Sequence, residues 1–135
     1  MPPEWTEDVW RAVYPFIAKG LARAADDTYT SEYIWHQVIT GQFQLWAGAD
    51  HTGAARCVMV THLNRYPTGL IAVQILFLAG EGIGFAEQAH MIEVVKQWAR
   101  ANHAHRIEYS GRRGFLRSCP GGWKEKGITA VMELD

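Results

Sequence analysis

Residues 70–78 read Leu-Ile-Ala-Val-Gln-Ile-Leu-Phe-Leu, an apolar run broken only by Gln74. A strand points alternate side chains to opposite faces, so a run that is apolar on both phases needs cover on both sides of its sheet. That places it as a central strand and requires helices on each face. The chain continues Ala79-Gly80-Glu81-Gly82-Ile83-Gly84, and residues 85–102 follow with Met91, Val94, Val95 and Trp98 on one helical stripe. Strand, glycine loop and helix therefore succeed one another, and 106–110 reads as a short strand beyond them.

The residues before the run supply the rest of the sheet. Thr6 caps a helical region whose first turn holds Glu7 and Asp8 and whose apolar stripe is Trp10, Val13, Tyr14, Ile17 and Leu21. Pro15 lies inside that stripe and predicts a kink, or two short helices meeting there. A polar connector at 24–29 precedes a second helix capped by Thr30 or Ser31, carrying Ile34, Trp35, Val38 and Ile39, and ended by Gly41. From Gln42 the period changes to two, with Phe43 and Leu45 alternating with Gln44 and Trp46. Turn-rich residues 48–53, a strand at 56–62 and a turn at 64–69 containing Pro67 complete an antiparallel meander with 70–78. After the strand at 106–110, residues 112–119 predict a short helix stopped by Pro120, and 127–134 a last strand. The class is α+β: N-terminal helices and a central mixed sheet, in which a meander is followed by strand-helix-strand-helix-strand.

At 135 residues and 48% hydrophobic content the chain suits one domain over 1–135. Thirteen Lys plus Arg against 14 Asp plus Glu exclude the basic balance of a general nucleic-acid binder. The charge is uneven, with seven bases against Glu108 and Glu125 in residues 100–126, an arrangement suited to an anion. Cys57 and Cys119 have no CxxC partner and read as free thiols of a reducing compartment. No basic leader and no membrane-length apolar run is present, which predicts a soluble intracellular protein.

Several side chains carry potential chemistry. Glycines let backbone approach a ligand, and the N-terminus of the following helix offers N–H groups to phosphate, so 79–84 reads either as a pyrophosphate cradle or as a plain strand-to-helix turn. Glu81 opposes the cradle, because a carboxylate repels an anion and no Lys or Arg lies between residues 66 and 95. His103 and His105 would share one face of a strand, but no Asp, Glu or Cys nearby completes a metal set, and no metal site is assigned. His36, His62 and His90 stand singly as surface or half-buried polar residues, any of which can line a groove. Trp35, Trp46 and Trp98 fall on apolar stripes and belong to the core, whereas Trp5 and Trp10 suit a contact surface. Arg106, Arg112, Arg113, Arg117, Lys124 and Lys126 form a basic cluster in which Arg113 and Arg117 share a helix face.

The chain from Gln42 onward resembles the GNAT acetyltransferase superfamily, whose acetyl-CoA loop reads Arg/Gln-x-x-Gly-x-Gly/Ala between a strand and a helix. Gly82 and Gly84 take the two glycine positions and Ala79 stands at the Arg/Gln position. Gly111, Gly114, Ser118, Gly122 and Trp123 fall in register on a second landmark, Asn-x-x-Ala-x-x-x-Tyr-x-x-x-Gly-Phe, with Ser118 at the tyrosine. Gly111-Arg112-Arg113-Gly114-Phe115-Leu116-Arg117 is similar to the Gly-Arg-x-Gly-Trp-x-Arg segment of small GNAT-like proteins of tailed bacteriophages and prophages, as is Gln44-Leu45-Trp46 after the second helix. The family's opening strand has no counterpart before the first helix.

The resemblance implies a GNAT-like fold and an N-acetyltransferase that uses acetyl-CoA on a small-molecule or protein amine, in the cytoplasm of a bacterial host. Its cofactor-binding residues would be Phe77, Leu78, Ala79, Gly80, Gly82, Ile83, Gly84, Arg113 and Ser118, with pantetheine pairing along the splayed end of the strand at 76–78. Many members place a base on that strand, where this chain offers only Gln74, which accepts no proton near neutral pH. Glu108 on the next strand is either a substitute or, more commonly for such a carboxylate, the partner of Arg106 or Arg112. No catalytic residue is assigned. The phage-like segment also implies an alternative: an inert GNAT-fold protein with a virion-structural or interaction role, whose partners are phage or host proteins.

Overall fold

The computed structural model describes residues 6–23, 28–49, 51–52, 54–80, 85–110, 122–124, 126–127 and 130–134. Helices α1 (Thr6–Arg23) and α2 (Ser31–Ile39) lead into strands β1 (Phe43–Ala49), β2 (Ala55–Arg65) and β3 (Ile71–Gly80), followed by α3 (Phe85–Ala101) and β4 (Arg106–Tyr109). The sheet order is β1-β2-β3-β4. β1, β2 and β3 form the expected antiparallel meander, and β4 joins β3 in parallel after the α3 crossover. Among the described residues no helix is long and apolar enough to cross a membrane.

β3 is covered on both faces, as its composition requires. On one face Val13, Ile17 and Leu21 of α1 and Ile34 and Val38 of α2 pack with Phe43, Val58, Val60, Phe77 and Ala79. On the other, Met91, Ile92, Val95 and Ala99 of α3 pack with Cys57, Met59, Val73 and Ile75. Ile17, Ile34, Ile92 and Val95 are almost wholly buried, each contributing roughly 1.5–3 kcal/mol of burial energy. Val94, expected on the buried stripe of α3, is 37% exposed, and Ile92 and Ala99 take its place.

α1 runs as one helix through Pro15, in place of two helices meeting there. Proline deprives the carbonyl four residues earlier of its donor. That residue, Arg11, is exposed, as is Pro15, so the proline sits on the solvent side of the helix. α2 is capped as predicted: Tyr33 N–H donates to Thr30 Oγ1 at 3.1 Å. At its other end Gly41 takes φ +83°, and Gln42 and Gly41 N–H donate to the carbonyls of Gln37 and Val38 at 2.9 and 3.2 Å. Two such bonds with a left-handed residue between them close the last turn of a helix, which is why glycine stands there.

Thr61 is the buried polar side chain among the described core residues. Its hydroxyl accepts from Trp46 Nε1 at 2.9 Å and donates to Gln44 Oε1 at 3.1 Å, pinning β1 to β2 on the α3 side, where Trp46 also meets Trp98 edge-on at 5.6 Å.

Two expectations end differently. His103 and His105 lie in the α3–β4 connector and share no strand face: His103 takes φ +62°, and His105 Nδ1 accepts from Ile71 N–H at 3.0 Å. The last strand, expected at 127–134, is absent from the described residues 127 and 130–134. Val131, Met132 and Leu134 are 77%, 86% and 89% exposed there. Apolar alternation supplies strand propensity, but a strand also needs a ladder partner. The helix expected at 112–119 lies outside the described residues.

Candidate functional site

The parallel pairing of β3 and β4 is short. Its register is Ala72 with Arg106, Val73 with Ile107, Gln74 with Glu108 and Ile75 with Tyr109. β4 then ends, while β3 runs on to Gly80, still laddered to β2 through Phe77–Val60, Leu78–Met59, Ala79–Val58 and Gly80–Cys57. Among the described residues, nothing pairs with the β4-side edge of β3 from Leu76 onward. Such an edge presents alternating N–H and C=O groups to any extended chain that carries amides.

The end of that pairing coincides with an irregularity in β3. Val60 faces Phe77 but Thr61 faces Ile75, so Leu76 is an extra residue on β3. A bulge of this kind bends the strand and raises its twist. It also resets the alternation: Leu76 and Phe77 both pack toward the α1 side, and Leu78 toward α3. Phe77 and Ala79 are thus buried under α1. Gly20 makes this packing possible, since a Cβ there would lie 2.5 Å from Phe77 Cδ2 and 3.2 Å from Ala79 Cβ.

Phe77, Leu78, Ala79 and Gly80 lie together along this edge, which has no strand partner among the described residues. Gly82, Ile83, Gly84, Arg113 and Ser118 lie outside the described residues. α3 begins at Phe85, with four residues between it and Gly80, so its N-terminal turn follows the glycine-rich segment in the chain. The structure adds a residue the sequence did not suggest. Lys19 of α1 donates from Nζ to the Gly80 carbonyl at 3.3 Å, placing an ammonium at the loop's entrance. Nothing local signals this, because the partners are 61 residues apart.

One residue below the end of the β3–β4 pairing, a polar row crosses the sheet. Phe43 is in register with His62, His62 with Gln74, and Gln74 with Glu108, so all four project from one face. Tyr66 Oη–H donates to Glu108 Oε1 at 2.6 Å, and Gln74 Nε2 lies 3.3 Å from both oxygens. Arg106 approaches Glu108 Oε2 with Nε at 3.0 Å and Nη2 at 2.7 Å. At the other end, the ring of Phe43 lies 5.2 Å from His62 and 6.3 Å from Tyr29 and Tyr33.

Burial alone would raise the Glu108 pKa, but the hydrogen bonds from Tyr66, Gln74 and Arg106 and the Arg106 charge outweigh it and hold the carboxyl below its ordinary value. The same bond to Glu108 raises Tyr66. Glu108 is therefore an ionised, fully engaged acceptor paired with Arg106. Of its two sequence readings, the ion-pair partner is the one realised.

No protein-family model and no curated protein matches this sequence. Solved structures do. A glucosamine-6-phosphate N-acetyltransferase from Arabidopsis thaliana is 10% identical, with TM-score 0.67 over 96% of this chain and 94% of that one. An aminoglycoside acetyltransferase from an uncultured soil metagenomic sample is 11% identical, with TM-score 0.71 over 96% and 92%. A predicted acetyltransferase from Clostridium acetobutylicum, solved with acetyl-CoA, is 12% identical, with TM-score 0.69 over 95% and 91%. The chain has the GNAT acetyltransferase fold.

Proposed function

We propose that this chain is an acetyl-CoA-dependent N-acetyltransferase acting on a small-molecule amine. The observation that carries the reading is the edge of β3 from Leu76 to Gly80, which is laddered to β2 on one side, free of a strand on the other among the described residues, and leads to the start of α3. Acetyl-CoA supplies an amide-bearing arm that fits such an edge, phosphates for a helix N-terminus, and a thioester carbonyl open to an amine.

The chain's own groups divide the work. The backbone of Leu76–Leu78 pairs with the arm. Gly82, Ile83 and Gly84 offer N–H groups to the pyrophosphate, with Lys19 supplying a cation that residues 66–95 lack. Arg113 serves the adenine-side phosphates, and Ser118 stands where the family's tyrosine lies beside the sulfur, as the family resemblance implies. The row of His62, Gln74 and Glu108 forms the acceptor floor one residue from the end of the β3–β4 pairing. Transfer forms an N–C bond and breaks the C–S bond; the amine proton leaves through water on this floor, and the thiolate gains a proton. The acceptors named for the Arabidopsis and soil enzymes, an amino sugar phosphate and aminoglycosides, support the small-amine class.

The test is thiol release from acetyl-CoA in the presence of amino sugars, aminoglycosides and amino acids. At least one amine should raise release about tenfold or more over the amine-free rate. Release at the background rate with every amine would overturn the reading.

A further inference from the structure

An alkylamine reaches the acceptor floor as an ammonium near neutral pH and has no lone pair until a proton leaves it. The side chains of the floor decide where that proton goes. Gln74 is an amide and accepts no proton near neutral pH, and its Nε2 is committed to Tyr66 Oη and Glu108 Oε1, each at 3.3 Å. Glu108 is engaged by Tyr66 at 2.6 Å and by Arg106 at 2.7 Å, and those partners hold its carboxyl below its ordinary value, which makes it a poor proton acceptor. Tyr66 directs its own proton at Glu108, and Arg106 is a cation. Among the described side chains of this row, that leaves His62.

We propose that His62 is the general base of this site and takes the proton of the acceptor amine across one water, an inference that rests on the chain being the acetyltransferase proposed. Register sets its place. His62 is the cross-strand partner of Gln74, so their Cβ atoms stand about 4.5–5.5 Å apart, and Gln74 comes one residue before Ile75, the last residue of β3 paired to β4. The ring lies against Phe43 at 5.2 Å, which orients it, and its half-buried position leaves part of it in contact with water. The imidazole takes one proton from the ammonium and passes it to solvent. The freed amine then attacks the thioester carbon, an N–C bond forms, the C–S bond breaks, and a second nitrogen proton goes to the departing thiolate.

The groups around His62 let its titration be read apart from theirs. Across the Phe43 ring stand Tyr29 of the α1–α2 connector and Tyr33 of α2; across Gln74 stand Glu108 and Arg106 of β4 and Tyr66 of the β2–β3 turn. Its same-face neighbours along β2, Val60 and Asn64, do not titrate, nor do Phe43 and Leu45 of β1. Glu108 is held below its ordinary value and Tyr66 above its own, so neither changes charge near neutrality. Among these side-chain types imidazole is the one that changes charge between about pH 5 and 8.

Rate against pH tests this, with an alkylamine that supports thiol release from acetyl-CoA. For the wild type, kcat/KM should rise with pH and bend between about pH 5 and 8. His62→Gln should be about 100-fold slower near pH 7 with its CoA affinity unchanged by calorimetry, and should close on the wild type as pH approaches the amine's own pKa, where the nucleophile is neutral without a base. A His62→Gln rate within about twofold of wild type near pH 7 overturns the proposal, and so does an equal loss at every pH, which marks a structural part only. A wild-type profile with no bend in that range overturns it without any variant. In each of these cases amine-dependent release persists and the transferase reading stands, whereas release at the background rate with every amine overturns both.

Discussion

Ile75 and Tyr109 are the last residues paired between β3 and β4. One residue on, Leu76 bulges out of the ladder with β2, and from there β3 has a strand on one side only among the described residues. The bulge lies next to the polar row, and β3 runs on from it to Gly80, ahead of the start of α3.

Lys19→Met should weaken CoA binding about fivefold while leaving binding of pantetheine, which carries no phosphate, unchanged. An ammonium a few ångströms from phosphate at a partly exposed site is worth on the order of 1 kcal/mol. Lys19→Arg should restore most of the affinity, and added salt should shrink the difference. Calorimetry with both ligands checks it.

Gly20→Ala should destabilise the fold by about 1 kcal/mol in urea titration. Alanine favours a helix over glycine by up to about 1 kcal/mol, but here its Cβ would lie 2.5 Å from the Phe77 ring, and overpacking costs about 1–3 kcal/mol. The clash outweighs the helix gain because Phe77 is buried and has no room to turn.

Thr61→Val keeps the shape and removes the hydroxyl that Trp46 Nε1 donates to and Gln44 accepts from. Leaving those groups unpaired should cost about 1–3 kcal/mol. The wild-type-minus-variant difference in urea-derived stability reads it, and the Trp46 fluorescence band should shift with it.

Glu108→Gln should lower stability by about 1 kcal/mol near neutral pH, since it removes the charge from hydrogen bonds made by Tyr66 and Arg106. The pH dependence has a definite sign. A carboxyl held below its ordinary value in the folded state stabilises the fold above its unfolded pKa of about 4.3, and that contribution is lost as pH falls through the lower folded value. Stability curves of wild type and variant should therefore run parallel above about pH 5 and converge in acid.

Much of the fold is legible locally. The apolar run at 70–78 announces a doubly covered strand, Thr30 and Gly41 mark both ends of α2, and the period change at Gln42 marks the first strand. Pro15 misleads because the penalty for an interior proline depends on whether the freed carbonyl can reach water, which sequence does not encode. That Phe77, Leu78, Ala79 and Gly80 end a strand is readable because a glycine loop follows them. The polar row is not, since His62, Gln74 and Glu108 become neighbours only through strand register, and Lys19 meets Gly80 only because Gly20 lets α1 press onto β3. The strand expected at 127–134 shows the limit of pattern: propensity names a strand but not its partner.

The most direct test of the account is calorimetric titration of the whole chain with acetyl-CoA and with CoA, alongside Gly82→Asp, which sets a carboxylate in the proposed cradle. Binding in the range of about 1–100 µM for the wild type, lost in a Gly82→Asp variant that keeps its fold, is the predicted result. No heat and no thermal shift up to about 1 mM ligand would contradict it and leave the open edge of β3 without a cofactor.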